Sequence, residues 1–202
     1  MADETINILT SLNIETAVFV GHSMGGAVAM QCLKHYPARV QGLCLFHATP
    51  FADSEEARTA RNATIARIHM GEKQEIAETL LKRIIPESSW ERIGIANIER
   101  LRAILKQTPE SGMIAGHEAM LGREDTQHVL IDTPCPVLFL LGKNDPIIAV
   151  EAILPLVKLP QTAHISLLSG VAHAGMIEAP RPSVALLLGF AHSVFAATPP
   201  AR

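Results

Sequence analysis

The chain has 202 residues, 48% hydrophobic and 18% charged, with a formal net charge of −3. That length supports one substantial core, with or without an insertion, and is too short for two full catalytic domains. The mild acidity leaves no basic footprint for nucleic acid, and no apolar run is long enough to cross a bilayer. The opening "MADETINILT" has neither the basic n-region nor the apolar h-region of a secretory signal, so a cytoplasmic protein is expected.

In chain order, Ile6, Leu9 and Leu12 recur at helical spacing over residues 3–12, with Asp3 placed to cap the helix. The period then changes. "AVFVG" (17–21), "GLCLFHA" (42–48), "PVLFLLG" (136–142) and "HISLLSG" (164–170) are continuous apolar runs, as expected of parallel strands buried on both faces. Helical patterns separate or follow them at 25–36, 149–158 and 182–196, the last after Pro180 and Pro182. Strands alternating with helices predict an α/β fold with a mostly parallel, open sheet of about four strands flanked by helices.

The stretch from about 53 to 128 interrupts that alternation with four helical patterns and no strand. Asp53 or Ser54 can cap the first, which carries Ala57, Ala60, Ile65 and Ile68. Ile76, Leu80 and Ile84 mark the second, Ile98, Leu101 and Leu105 the third, and Met113, Ile114, His117 and Leu121 the fourth. Residues 1–50 and 129–202 are therefore expected to form the α/β core and 51–128 an all-helical insertion. Such an insertion sits above the carboxyl ends of the strands, where ligands bind. The charged run "DSEEARTAR" reads as a solvated helix, and "TPPAR" as a frayed tail.

The chemistry concentrates at three points. Gly21-His22-Ser23-Met24-Gly25 is a G-x-S-x-G motif that follows an apolar strand and opens a helix. A sharp strand-to-helix turn of this kind leaves little room beside the serine, forces its backbone into a strained conformation and lifts the hydroxyl clear of the sheet. The serine then faces helix N-terminal amides, where developing negative charge is favoured. A serine nucleophile needs a base, and the base an orienting acid. Asp145 in "LLGKNDPI" and His173 in "LLSGVAHAGMIEAP" each lie just past the end of an apolar strand, giving the chain order Ser, Asp, His. His47, at the end of "GLCLFHA", is either a candidate substrate contact or a satisfied structural histidine, Ile147, beside Asp145, is a candidate substrate contact, and His22, next to the serine, is a candidate contact or a residue packed beside the sheet. Trp90, Met113, His117 and Met120 fit helix packing within the insertion.

Cys32, Cys44 and Cys135 are widely spaced in apolar sequence and suit buried hydrophobes in a reducing compartment rather than disulfides. Nine histidines are present, but no His-Glu-x-x-His and no Cys-x-x-Cys, so no metal is expected.

"GHSMGG", "PVLFLLGKND" and "GVAHAGMIEAP", the last matching at His173, Glu178 and Pro180, resemble the α/β-hydrolase superfamily in its esterase, lactonase and haloperoxidase-like branch. The helical insertion is similar to the cap domain of that branch. The resemblance implies Ser23 as nucleophile, His173 as general base and acid, Asp145 as its orienter and the Met24 N–H as an oxyanion donor. It implies no cofactor, and hydrolysis of a small ester or lactone through an acyl-enzyme. The same triad serves cofactor-free haloperoxidase and perhydrolase chemistry. A serine at position 23 argues against the dehalogenase and epoxide hydrolase branches, which attack through a carboxylate.

In such proteins some seventy or more residues precede the elbow strand and contribute strands and a His-Gly loop with a second oxyanion amide; this sequence contains no His-Gly dipeptide. The expectation is a truncated fold in which strand 17–21 is an open edge. Such an edge invites self-association, and a catalytically deficient relative that binds a ligand or partner is the alternative reading.

Overall fold

A computed structural model describes residues 1–131 and 133–197. The expected frayed tail, 198–202, lies outside the described residues. Four strands, β1 (Ala17–His22), β2 (Val40–Phe46), β3 (Val137–Gly142) and β4 (Ala163–Leu168), form one sheet in the order β1-β2-β3-β4, every neighbouring pair parallel.

Parallel strands need crossovers, and helices supply them on both faces. On one face lie α1 (Ala2–Ser11) and α2 (Met24–His35), whose Ile6, Met30 and Leu33 pack with Leu43 and Leu45 of β2 and Val137, Phe139 and Leu141 of β3. On the other lies α10 (Pro180–Ala197), whose Phe190 and Val194 pack with the alternate residues Cys44, Phe46, Leu138 and Leu140. Successive side chains of β2 and β3 thus enter opposite cores, which is why their sequences show no polar alternation.

The two outer strands depart from that expectation. β1 buries Phe19 and Gly21 but leaves Val20 48% exposed, and β4 leaves Ile165 and Leu167 37% and 40% exposed. Both form sheet edges among the described residues, so an apolar run alone does not separate a central strand from an edge. Two smaller differences concern helices. Asp3 lies inside the first turn of α1 rather than at its cap, which is Met1. The pattern at 149–158 divides into a short α8 (Val150–Ile153) and a 3-10 segment over Leu154–Lys158, with Pro155 at the junction.

Between β2 and β3 the chain is helical: α3 (Glu55–His69), α4 (Lys73–Ile84), α5 (Trp90–Ile93), α6 (Ile95–Gln107) and α7 (Glu110–Leu121). The sequence marks four of these. The fifth, α5, is a 4-residue turn too short to carry a period. Ser54, not Asp53, caps α3, its side chain accepting from Ala57 N–H at 3.2 Å. Asp53 is instead buried between Arg61 and Arg123, bonded at 2.5 and 2.8 Å, so this part of the charged run is not solvated. Leu81, Ile85 and Ile98 form the core of this helical layer together with Ala174 from beyond β4.

Candidate active site

Because all four strands run in one direction, their carboxyl ends share a rim. Each delivers one residue there: Ser23 after β1, His47 after β2, Asp145 after β3 and His173 after β4.

At the first of these, Ser23 adopts φ 51 and ψ −118, a conformation that a non-glycine residue rarely holds, and is the N-cap of α2. Its N–H is tied to Phe46 O of the neighbouring strand at 3.0 Å. The tight turn makes a side chain impossible at Gly21, where a Cβ would lie 2.4 Å from Gly25 O. At Gly25 a Cβ would meet nothing within 4 Å, whereas at Gly26 it would lie 2.3 Å from Ala48 Cβ. The steric need is therefore met by Gly21 and Gly26, and the second glycine of the motif is not one of them. Met24, Gly25 and Gly26 open α2, and first-turn amides have no intrahelical acceptor of their own. The Gly26 N–H is taken by Ser23 O at 2.9 Å.

The structure brings Ser23, His173 and Asp145 into one chain of hydrogen bonds. His173 Nε2 lies 2.8 Å from Ser23 Oγ, and His173 Nδ1 lies 2.8 Å from Asp145 Oδ2. The Asp145 side chain is 1% exposed, and its Oδ1 accepts from the N–H groups of Ile147 at 2.8 Å and Ile148 at 3.0 Å. Burial alone would raise its pKa, but hydrogen bonds from His173 and then His47 outweigh it and hold the carboxyl well below the usual range.

His173 rides on a loop that leads into the short helix α9 (Gly175–Glu178) and is fastened from two sides. Glu178, its side chain fully buried, accepts from Ala172 N–H at 3.0 and 3.1 Å and from Ala174 N–H at 3.1 Å. The helical layer supplies the other attachment: Ile84 O accepts from His173 N–H at 3.2 Å, and Arg92 of α5 donates to Glu178 O at 2.6 Å and Gly170 O at 3.1 Å. Glu178 was visible in the sequence only as part of a matching motif, and Arg92 carries no local signal at all.

The remaining candidates fall differently. His22 donates from Nε2 to His173 O at 2.7 Å, its ring 5.1 Å from the His173 ring. Burial, and the neighbouring imidazoles, lower its pKa to about 4 despite the carbonyl bond. It braces the loop that carries His173. His47 is 0% exposed, with Nδ1 3.2 Å from Asp145 Oδ2, so the expectation that it lines a pocket is corrected. Its position at a strand end misleads because the 169–178 loop covers it. Ile147 is half-buried and contributes its backbone N–H to Asp145.

His47, Asp145 and His173 offer donor atoms within 4.8 Å of one another, close enough to share a cation. Those atoms are already engaged in the bonds among the three residues, an arrangement that fits a proton network better than a metal. A cleft of ≈ 370 Å³ runs along α2 from Met24 past Ala27 and Gln31, with Arg123 and Thr126 on its far wall. Cys44 and Cys135 are buried, and burial pushes both thiols up to about 12, far from a reactive thiolate.

A parallel sheet with helices on both faces and polar residues at the carboxyl ends of its strands is a fold this chain shares with a known family. Residues 2–186 match the family model described as "Alpha/beta hydrolase family", and the chain belongs to that family. The sn-1-specific diacylglycerol lipase ABHD11 of Xenopus laevis is 26% identical over 181 residues, covering 86% of this chain and 57% of that protein. The pimeloyl-[acyl-carrier protein] methyl ester esterase of Yersinia enterocolitica is 27% identical over 186 residues, covering 88% of this chain and 70% of that protein. Among solved structures, a thermophilic esterase from Thermogutta terrifontis superposes with a TM-score of 0.88 at 26% identity, covering 96% of this chain and 71% of that one. The chain thus spans between about half and three quarters of the length of these relatives. No helix among the described residues is long and apolar enough to cross a membrane.

Proposed function

We propose that the protein is a serine hydrolase acting on a small carboxylic ester or lactone through an acyl-enzyme, without a cofactor. The observation that carries this reading is the continuous bonded chain Ser23 Oγ, His173 Nε2 and Nδ1, Asp145 Oδ2, with 2.8 Å at both links. In that mechanism His173 takes the Ser23 proton as Oγ attacks the carbonyl carbon, and Asp145 stabilises the imidazolium. His173 then returns the proton to the leaving alcohol. Water, deprotonated by the same imidazole, releases the acid and regenerates Ser23. The Met24 N–H, at the positive end of α2, is the proposed donor to the tetrahedral oxyanion. The esterase and lipase names of relatives that share most of the chain support the same chemistry. The helical segment 51–128 acts as a cap over a core formed by 1–50 and 129–202, and its attachment to the His173 loop through Ile84 and Arg92 supports that role.

A fluorophosphonate probe tests the reading on the folded chain. Stoichiometric labelling that disappears in Ser23→Ala, together with p-nitrophenyl acetate turnover lost in the same variant, is the expected result. A folded protein that takes up no label overturns it.

The position of β1 at a sheet edge among the described residues favours a second reading, a binding protein that keeps the same cleft but lacks efficient turnover. Val20 and Ile8 are 48% and 59% exposed, beside a shallow apolar depression that also contains Met1, Phe19 and Val28. In this reading β1 pairs with a second copy of the chain.

A further inference from the structure

We propose that His47 is a positioning residue for the Asp145–His173 pair: a second imidazole that donates to the carboxylate oxygen already used by His173 and so divides the charge that His173 receives. The inference rests on the hydrolase reading above and adds a residue and a pH dependence to it.

The site is built around the His47 ring. A Cβ at Gly175 would lie 2.6 Å from its Nε2, so this glycine makes room for it; a Cβ at Gly142 would lie 2.9 Å from its Cε1 and closer still to Ala172 O, at 2.2 Å, and Val171 O, at 2.5 Å. The residue itself adopts φ 47, a left-handed conformation unfavourable for a residue with a Cβ, and its N–H bonds Leu140 O at 2.8 Å. A strained, fully buried histidine seated against Gly175 is a costly way to fill space, and its polar contacts show what it is aimed at.

Nδ1 lies 3.2 Å from Asp145 Oδ2, and Nε2 accepts from Gly175 N–H at 3.2 Å. Gly142 N–H also approaches Nδ1, at 3.1 Å. The Nδ1–H tautomer satisfies the carboxylate and the Gly175 amide and leaves the Gly142 N–H facing another N–H. The Nε2–H tautomer would satisfy the Gly142 N–H alone, at the cost of a lone pair turned toward a buried carboxylate and an N–H toward the Gly175 N–H, so the charge on Asp145 selects the first. Asp145 Oδ2 then receives two imidazole N–H groups, from His173 at 2.8 Å and from His47 at 3.2 Å.

The groups facing His47 are Asp145 from the β3 loop, His173 from the β4 loop and His22 from the end of β1, the ring centroids of the two histidines lying 5.8 and 5.9 Å away. Asp145 is the one carboxylate among them, and at 1% side-chain exposure water does not dilute the competition for its charge. An imidazolium forming on His173 therefore sees a carboxylate already partly compensated by the His47 N–H.

The test is the pH profile of fluorophosphonate labelling on the full chain. His47→Leu removes the donor at similar volume, and its acid limb is expected about one pH unit higher. His47→Asn keeps an N–H near the Nδ1 position and tolerates positive φ, so its limb is expected close to wild type. A folded His47→Leu whose limb coincides with wild type overturns the proposal. In parallel, ¹⁵N NMR of the unmutated protein is expected to show the His47 proton on Nδ1, and a proton found on Nε2 overturns the proposal whatever the variants do. Wild-type protein that resists labelling at every pH strikes the hydrolase reading, while the NMR result still accepts or rejects the His47–Asp145 bond.

Discussion

At the scale of single residues, the site is a set of side chains held in unfavourable states by their surroundings. Ser23 and His47 both sit at positive φ, and His22 is kept neutral by burial. The last has a measurable consequence. An unfolded histidine takes up its proton near pH 6.5, whereas folded His22 does so only at about 4. Between those values the unfolded chain binds more protons, so its contribution to stability is full above about 6.5 and is lost as pH falls toward 4. His22→Gln keeps a donor for His173 O and removes the titration. Urea unfolding at pH 7 and pH 5 is expected to show wild type losing on the order of 2 kcal/mol more than the variant. Equal losses would mean that His22 is protonated in the folded state. The elbow motif was legible at this scale, but its glycines were not equivalent. The motif identifies Gly21 and Gly25, whereas the packing requires Gly21 and Gly26, because Ala48 of the next crossover approaches the latter.

At the scale of elements, the loop between β4 and α10 decides where His173 stands. Its first part, which carries His173, is irregular and leads into the short helix α9, whose last residue, Glu178, holds it with a buried carboxylate that collects the amides on both sides of His173. Glu178→Ala leaves the Ala172 and Ala174 N–H groups buried without an acceptor, and each orphaned group costs about 1–3 kcal/mol. The denaturation midpoint is expected to fall accordingly, with Ser23 labelling slowed by at least tenfold. Glu178→Gln, which retains one acceptor oxygen, is expected to recover most of both. A Glu178→Ala protein that labels at the wild-type rate would show that the loop is positioned by its other attachments, Ile84 O and Arg92. Among the strands, β2 and β3 match what their sequences predict, since helices cover both faces. β4 carries an equally apolar run but leaves Ile165 and Leu167 partly exposed, because α10 packs mainly on β2 and β3 at the centre of the sheet.

At the scale of the whole molecule, the sheet formed by the described residues has one edge at β4 and another at β1, the strand that leads into Ser23. If β1 pairs with a second copy, sedimentation velocity is expected to show a concentration-dependent dimer. Val20→Lys, which places a charge on the exposed strand, is expected to shift it to monomer. A wild-type chain that stays monomeric at every concentration removes self-association from the reading.

The sequence by itself determined the class of fold, the elbow, and the order Ser23, Asp145, His173, because each rests on local rules: the period of apolar residues, the sterics of a turn, and the position of a polar residue just past a strand. Only the tertiary structure decided which side chains meet. His47 and Asp145 are 98 positions apart, and Ser23 and His173 are 150 apart. They converge because Phe46 of β2 stands level with His22 of β1 and Leu140 of β3, and Gly142 stands level with Leu168 of β4. That register aligns four strand ends at one rim. It turns His47 from a presumed pocket wall into the second histidine on a buried carboxylate, a role that depends on contacts no local pattern in the chain records.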